Sequence, residues 1–129
     1  MPEDHSEILI VDDEPDVCWA LGYLLSKNGF VARMAQNGQE ALLLFSIGHF
    51  PVVFLDAKLP DVEGLELAQQ MRRIDPEVHI VLLSGYFSGD DQAVRDAQAR
   101  GLVQHFIGKP FRHEEVIEMT RLATSQWGR

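Results

Sequence analysis

A chain of 129 residues suits one domain of common size, which can bury a sizeable core without disulfides or a structural metal. Its formal net charge of −9 argues against nucleic acid or an anionic membrane as the partner of this domain. The single cysteine excludes an intramolecular disulfide. The acidic N-terminus lacks the apolar core of a signal peptide, and no stretch approaches the roughly 20 apolar residues of a membrane span. We therefore expect a soluble, cytoplasmic protein.

The first half of the chain alternates aliphatic runs with helical patterns. Residues 8–11 form an aliphatic run that predicts a buried strand ending at two acids. A helix follows, because Pro15 suits a first helical position, apolar residues recur at helical spacing to Leu25, and an Asn-Gly pair supplies the stop. The next expected elements are a strand over residues 30–35, a helix from the capping pair Asn37 and Glu40 to about Gly48, and a buried strand over residues 52–55 that ends at Asp56.

The second half continues the alternation. Its expected elements are a helix through residues 65–73, a strand over residues 78–83 that ends at Ser84, a helix through residues 93–100 closed by Gly101, a strand over residues 102–107, and a last helix with Val116, Met119 and Ala123 on one stripe. Five strand–helix pairs in strict alternation imply right-handed crossovers and a parallel sheet covered on both faces. The predicted fold class is therefore α/β and doubly wound, while the order of the strands stays open at this point.

Polar residues stand where four of the predicted strands end. The first, third, fourth and fifth strands end at Asp12-Asp13, Asp56, Ser84 and Lys109. The carboxyl ends of parallel strands meet at one edge of a sheet, where open α/β sheets place their ligands. Taken separately, the acid pair could be favourable charges at a helix N-terminus, Asp56 a turn cap and Lys109 a solvated turn residue. Their convergence in this scheme favours a common site.

The chemistry of these side chains indicates phosphoryl transfer. Clustered carboxylates repel one another and raise each other's proton affinity unless a cation joins them, and Mg²⁺ suits oxygen ligands in a partly open shell. A carboxylate is also a competent nucleophile toward phosphorus. A lysine ammonium and a serine hydroxyl can hold the remaining phosphoryl oxygens. The set therefore predicts a site that transfers a phosphoryl group to an aspartate.

The same motifs, taken in order, resemble a known family. They are Asp12-Asp13 after the first strand, Phe-Leu-Asp-Ala-Lys-Leu-Pro-Asp-Val-Glu-Gly around Asp56, Ser84-Gly85 after the fourth strand, and Lys109-Pro110-Phe111 after the fifth. Across essentially the whole chain, the sequence is similar to the receiver domain of two-component response regulators. The resemblance implies a flavodoxin-like (βα)5 fold with strand order 2-1-3-4-5. It also implies one receiver domain over residues 1–129, either a single-domain regulator or the N-terminal part of a longer chain.

The resemblance further implies a phosphoacceptor and a metal site. Asp56 would accept a phosphoryl group from a histidine kinase or a phosphotransfer protein, and the domain would catalyse only its own phosphorylation and dephosphorylation. The ion would be Mg²⁺, with Mn²⁺ as the alternative. Its protein ligands would be Asp12, Asp13, Asp56 and the backbone carbonyl of Lys58.

By the same resemblance, the end of the chain carries the conformational switch. Ser84 would contact the phosphoryl group and Lys109 would pair with it, while Phe106 would be the switch aromatic. The peptide bond between Lys109 and Pro110 would be cis. The fourth helix, fifth strand and fifth helix would form the output face, which would mediate homodimerisation or dock an output domain or effector.

This sequence departs from the family pattern after the fourth strand. Ser84 stands where threonine is commoner, and the stretch from Ser84 to Lys109 is a few residues longer than usual, with a loop that contains Gly85, Ser88 and Gly89. Lys58 and Tyr86 lie two residues after Asp56 and Ser84, respectively, where they could shade the phosphoryl group from water. We therefore expect an altered rate of autodephosphorylation, of either sign.

Two other functions use similar residues. A haloacid-dehalogenase-like phosphatase also combines Asp, Mg²⁺, Ser/Thr and Lys, but its nucleophile lies in an Asp-x-Asp motif, whereas adjacent acids follow the first strand here. A degenerate receiver that serves only as a docking module would normally have lost Asp56, a member of the acid pair or Lys109, and all of these are present. The glycine motifs of nucleotide-binding proteins do not occur in the sequence.

Overall fold

The computed structural model describes residues 7–85 and 91–124, in which five strands alternate with five helices. The strands are β1 (Ile8–Val11), β2 (Ala32–Ala35), β3 (Val52–Asp56), β4 (His79–Ser84) and β5 (His105–Gly108). The helices are α1 (Pro15–Lys27), α2 (Gly38–Ile47), α3 (Gly64–Ile74), α4 (Gln92–Ala99) and α5 (His113–Thr124). Among the described residues, no helix is both long enough and apolar enough to cross a membrane.

The five strands form one sheet in the order β2-β1-β3-β4-β5, and every neighbouring pair is parallel. This confirms the doubly wound α/β class and the flavodoxin-like fold predicted from the sequence. The carboxyl ends of the strands consequently lie at one edge of the sheet. The order in which strands are added to the sheet reverses between the adjacent strands β1 and β3. At such a reversal, open α/β sheets form a crevice for ligands.

The sheet separates two apolar cores, and the central strand β3 contributes to both. Its five residues are all buried. Because side chains alternate along a strand, Val53 and Leu55 pack in the core with α2, α3 and α4, whereas Val52 and Phe54 pack in the core with α1 and α5. Burying each such side chain contributes about 1.5–3 kcal/mol, so β3 is held firmly from both faces. The residue at its carboxyl end is therefore well fixed in position.

The predicted start of β2 is wrong by two residues. β2 begins at Ala32, not at residue 30. The N–H of Phe30 donates to the carbonyl of Leu25 at 3.0 Å, so this residue still belongs to the turn that ends α1. Phe30 packs, partly buried, against the core beside α1, which explains why its apolar side chain resembled the start of a strand.

The predicted start of β5 is also wrong, by three residues. β5 begins at His105, because the N–H groups of Leu102 and Val103 both donate to the carbonyl of Ala97 in the last turn of α4. These two apolar residues are buried in the turn that ends α4 and do not belong to the sheet. β4 begins one residue later than predicted, at His79, and ends at Ser84 as predicted.

The loop after β3 is attached to the start of α2. The predicted capping pair is present, since Oδ1 of Asn37 accepts the N–H of Glu40 at 2.7 Å. A second cap comes from the loop, where the carboxylate of Asp61 accepts the N–H groups of Gly38 at 2.8 Å and Gln39 at 3.0 Å. The hydrogen bond from Gly38 is the main cause of the lowered pKa of Asp61. The segment that follows the end of β3 is thereby fixed to a neighbouring helix.

The start of α3 presses directly on the backbone at the end of β3. The N–H of Gly64 donates to the carbonyl of Ala57 at 2.8 Å. A β-carbon at position 64 would lie 2.3 Å from the carbonyl oxygen of Asp56 and 2.7 Å from Cα of Ala57. Both obstacles are backbone atoms of the central strand and its continuation, so only glycine fits here without a shift of the chain.

We predict that Gly64→Ala destabilises the fold by about 1–3 kcal/mol, the usual cost of inserting an atom into a close-packed region. Gly108→Ala is the matched control, because its β-carbon would meet Phe106 at 3.9 Å and the carbonyl of Ser84 at 4.0 Å, which are ordinary contacts. The free energies of unfolding in urea should differ clearly between the two variants. Equal stabilities would contradict the contact assigned to Gly64.

Candidate functional site

Three carboxylates meet at the carboxyl edge of the sheet. Asp12 directly follows β1, Asp56 ends β3, and these two strands are neighbours. One ligand oxygen from each of Asp12, Asp13 and Asp56 lies within 4.8 Å of the others. Asp12 and Asp56 are buried, with 0% and 6% of their surface exposed, whereas Asp13 faces solvent. The structure therefore places in one cluster the three acids that the sequence analysis named.

Lys109 lies against the two buried acids. It follows β5, and its N–H donates to the carbonyl of Ser84 at 2.9 Å, which links the ends of β4 and β5. Its Nζ lies 2.7 Å from Oδ2 of Asp12 and 3.3 Å from Oδ1 of Asp56. The ammonium therefore offsets part of the repulsion between the two carboxylates.

Glu14, a residue that the sequence analysis did not single out as functional, also belongs to the cluster. Its Oε1 lies 3.0 Å from Nζ of Lys109, and its N–H donates to Oδ1 of Asp12 at 2.9 Å. The available signal was a third acid next to the pair Asp12-Asp13. Because Glu14 precedes the first turn of α1, the sequence pattern could not tell which way its side chain points.

The buried charges shift the pKa values of two site residues. Burial, followed by the nearby charge of Asp12, raises the pKa of Asp56 to about 6, even though Lys109 acts in the opposite direction. For Lys109, burial alone would lower the pKa, but the contacts with Asp12 and Glu14 outweigh it and raise the pKa above its usual value. At neutral pH the site thus holds an ionised carboxylate that is more basic than an ordinary aspartate, beside a firmly protonated lysine.

Cys18 lies beneath this cluster as a neutral thiol. Its Sγ is buried and donates to the carbonyl of Asp12 at 3.3 Å. Burial, with the charge of Asp12, raises its pKa to about 11. A thiol with so high a pKa is a poor nucleophile at neutral pH. Cys18 therefore supports the backbone below the acids and takes no part in their chemistry.

The donor set fits a hard divalent cation. Oδ2 of Asp12 is fully buried and, within the part of the chain that the structure describes, accepts no well-directed hydrogen bond besides its ion pair with Lys109. Carboxylate oxygens held this close suit Mg²⁺, which retains water and phosphate oxygens in its remaining positions. A cavity of about 810 Å³ opens beside the acids and is lined on its other walls by Val17, Leu59 and Phe111. There is room next to the carboxylates for both an ion and a phosphoryl group.

Three further predicted site residues, Lys58, Ser84 and Phe106, lie outside the acidic cluster itself. Lys58 is exposed at the wall of the cavity, and its Nζ lies 3.2 Å from Oε2 of Glu63. Ser84 is buried at the end of β4, beside Leu83, whose strand partner is Asp56. Phe106 lies within β5, partly buried, and packs against the core formed with α2, α3 and α4. The structure thus places Lys58 at the cavity beside the acids and Ser84 at the end of the strand next to β3, and it leaves Phe106 in the sheet.

The segment after Ser84 is described only in part. The peptide bond between Lys109 and Pro110 is cis. Tyr86, Ser88 and Gly89, which the sequence analysis placed in the loop before α4, lie outside the described residues. Gly85 is described and contributes to the wall of the cavity.

Comparison with known proteins identifies the family. The model of the response regulator receiver domain matches residues 8–121. Sporulation initiation phosphotransferase F of Bacillus subtilis is 30% identical over 117 residues, which cover 91% of this chain and 92% of that protein. The nitrogen assimilation regulatory protein NtrX of Azorhizobium caulinodans is 35% identical over 119 residues, but these cover 91% of this chain and only 26% of that protein. The chain also spans about half the length of two further regulators, at 54% and 48%.

One solved structure of similar shape was determined as a ligand complex. The response regulator TrrA of Thermotoga maritima, determined in complex with Mg²⁺-BeF, superposes with a TM-score of 0.79 and 30% identity, covering 92% of this chain and 98% of that one. Receiver domains bind Mg²⁺ in their acidic pocket, and in general they act as signalling modules and not as enzymes. The pocket of Asp12, Asp13 and Asp56 fits the phosphoacceptor site of such a domain. The fold, this pocket and the match over residues 8–121 together show that the chain belongs to the response regulator receiver domain family.

Proposed function

We propose that Asp56 is the phosphoacceptor of this receiver domain, and that it takes a phosphoryl group from the phosphohistidine of a sensor histidine kinase or a phosphotransfer protein. One observation carries the assignment. Asp56 is the acid that ends the central strand, is buried, and contacts Lys109 at 3.3 Å. Asp12 is equally buried but is engaged on both oxygens, by the N–H of Glu14 and by Lys109, and Asp13 is exposed.

The chemistry follows from the state of the Asp56 carboxylate. With a pKa of about 6, it is mostly ionised at neutral pH and more nucleophilic than an ordinary aspartate. One of its oxygens attacks phosphorus, the bond between phosphorus and the imidazole nitrogen breaks, and the electron pair returns to the ring. The product is an acyl phosphate on Asp56. The same site would later hydrolyse it, so the domain acts catalytically only on itself.

A divalent cation completes this site. The residues that would hold it are Asp12, Asp13, Asp56 and the backbone carbonyl of Lys58. When bound, Mg²⁺, or Mn²⁺ in its place, would offset the combined negative charge of the carboxylates and the phosphoryl oxygens. Lys109 is held where its ammonium can pair with a phosphoryl oxygen, and the hydroxyl of Ser84 ends the neighbouring strand.

The conformational change follows from the charge that phosphorylation adds. Phosphorylation brings about −1.5 to −2 charges and three strong acceptors to Asp56. Lys109 and Ser84 would be drawn toward them, and their backbones are already linked at the ends of β4 and β5. Movement of Ser84 would leave space for the ring of Phe106 to turn inward. A nearly complete switch requires about 5.5 kcal/mol of differential stabilisation. The desolvated contact between Lys109 and the phosphoryl group would contribute to it together with Mg²⁺.

The partners follow from the family and from the relatives. We place the output face on α4, β5 and α5, where a second copy of the domain, an output domain or a separate effector would dock. Relatives such as the nitrogen assimilation protein are several times longer than this chain, so the region matched here is one part of those regulators. The net charge of −9 argues against direct nucleic acid binding by residues 1–129. A kinase partner of this kind implies a cytoplasmic location.

We predict that the chain gains one phosphoryl group when it is incubated with Mg²⁺ and acetyl phosphate. Intact mass should show a single adduct, which should be absent when EDTA is present and absent in Asp56→Asn. Asp96→Asn is the control, since this exposed acid lies on α4 and contacts Gln92 outside the site. No adduct from acetyl phosphate or a phosphorylated kinase would favour the docking module, and steady release of phosphate from phosphoesters would favour the phosphatase.

We also predict that Asp56→Asn stabilises the metal-free protein at neutral pH. In the folded state Asp56 has a pKa of about 6, above the ordinary value of 3.8, so the folded state binds this proton more tightly than the unfolded state does. Stability is therefore lost as pH rises from about 4 to about 6, and the loss is complete above that range. Removing the charge should raise the free energy of unfolding by about 1–3 kcal/mol at pH 7.5.

The measurement is urea unfolding of both proteins at pH 4.5 and pH 7.5. The difference between them should be clearly smaller at the lower pH, and it should shrink at pH 7.5 when Mg²⁺ is added, because the ion removes the penalty in the wild type. Carboxyl groups remote from the site titrate equally in both proteins and cancel. A stability difference that does not depend on pH would contradict a raised pKa for Asp56.

A further inference from the structure

Glu14 has no part in the proposed function, yet it contacts the lysine on which that function depends. Its Oε1 lies 3.0 Å from Nζ of Lys109. The contact spans 95 residues of sequence and joins the start of α1 to the end of β5. The N–H of Glu14 donates to Asp12, so its backbone is fixed relative to the acidic cluster. The side chain is therefore directed at Lys109 by the architecture of the site.

Lys109 is surrounded by carboxylates in this structure. An ammonium group has three N–H donors, and carboxylate oxygens of Asp12, Glu14 and Asp56 lie 2.7, 3.0 and 3.3 Å from Nζ. The contact with Glu14 is a hydrogen bond, whereas Oδ2 of Asp12 accepts none from the described residues, so a phosphoryl oxygen that approaches Nζ has to compete with Glu14 for a donor and with all three acids for the positive charge. The three contacts thus compete with the phosphoryl group.

Glu14 is the contact that can be released at least cost. Its side chain is 60% exposed, whereas that of Asp12 is 0% exposed and that of Asp56 is 9% exposed. A buried carboxylate that loses its cation stays unpaired in the interior, but an exposed one turns into water and is hydrated. Release of Glu14 therefore leaves no uncompensated buried charge.

We propose that Glu14 is a positioning residue that holds Lys109 in the resting site and competes with the phosphoryl group for its ammonium. This inference rests on the proposed function of Asp56. It predicts two effects of opposite sign for Glu14→Gln. Losing the competitor favours the phosphorylated state, whereas losing a negative charge beside the acids weakens binding of the cation.

The first experiment measures binding, which needs no phosphoryl transfer. The affinity for Mg²⁺ alone and the affinity for beryllofluoride at saturating Mg²⁺ are determined by calorimetry at pH 7.5. Relative to the wild type, Glu14→Gln should bind Mg²⁺ roughly two- to fivefold more weakly and beryllofluoride roughly two- to fivefold more tightly, the range expected for an exposed ion pair. The rate of phosphorylation by acetyl phosphate at saturating Mg²⁺ should rise by a similar factor.

Two further variants separate the effect of the contact between Glu14 and Lys109 from the effect of any negative charge near the site. Asp16 lines the same cavity and carries the same charge, but among the described residues the acids that pair with Lys109 are Asp12, Glu14 and Asp56, so Asp16→Asn should change beryllofluoride affinity less than Glu14→Gln does. Glu14→Asp keeps the charge on a side chain too short for the 3.0 Å contact. It should bind beryllofluoride more tightly than the wild type while keeping nearly wild-type affinity for Mg²⁺.

The outcomes distinguish this inference from the proposed function. Equal effects of Glu14→Gln and Asp16→Asn, or weaker beryllofluoride binding by a Glu14→Gln protein with an unchanged melting temperature, would overturn the role of Glu14. If the wild type binds beryllofluoride but takes no phosphoryl group from any donor, the proposed function fails while the binding data still decide the role of Glu14. If the wild type does not bind beryllofluoride with Mg²⁺, both are wrong.

Discussion

The ammonium of Lys109 between two buried carboxylates is the interaction on which the site depends. Without that cation, Asp12 and Asp56 would place two like charges at the end of a sheet whose neighbouring residues are almost entirely apolar. Even with it, the pKa of Asp56 stays raised, so the lysine compensates the repulsion only in part. Buried ion pairs seldom stabilise a fold more than apolar side chains would. The remaining imbalance of charge instead favours binding of a further cation, and it keeps the carboxylate of Asp56 more basic than that of an ordinary aspartate.

The backbone fixes the positions of these charged side chains. Strands β1, β3, β4 and β5 are adjacent and parallel, so residues far apart in sequence end at one edge of the sheet. β3 is buried on both faces, and Gly64 lets α3 approach it so closely that no side chain fits between them. Asp56 therefore sits at a strand end that its neighbours constrain closely. A reactive group held in this way loses little freedom when a phosphoryl donor arrives.

Most of the fold and the core of the site could be predicted from the sequence, for one physical reason. A strand buried on both faces must be apolar throughout, so a charge directly after such a run marks its carboxyl end, as Asp56 does. The prediction was wrong where apolar residues serve another purpose, as with Phe30 in the turn that ends α1 and Leu102 in the turn that ends α4. It missed Glu14 because a contact over 95 residues depends on which way an exposed side chain points. Local pattern determines where elements begin and end, but it carries little information on such contacts.

Hydrogen bonds fix the start of β5, whereas ion pairs hold its end. This difference indicates which part of the strand would move when the charge at the site changes. At its start, Arg72 of α3 donates to the carbonyl of Leu102 at 2.7 Å and to Oε1 of Gln104 at 3.1 Å. That same Oε1 accepts the N–H of Ile80, so the beginnings of β4 and β5 are cross-linked by neutral and charged hydrogen bonds within a partly buried network.

At its other end, β5 is held by Lys109 and by contacts that depend on charge. Two of these are buried, but the contact with Glu14 is exposed and can exchange with water or with a phosphoryl oxygen. Since Arg72 fixes one end of the strand, a displacement of Lys109 has to be absorbed near the site, where its N–H is bonded to Ser84. The arrangement thus confines the response to the carboxyl ends of β4 and β5, beside Asp56 at the end of β3, as the proposed switch requires.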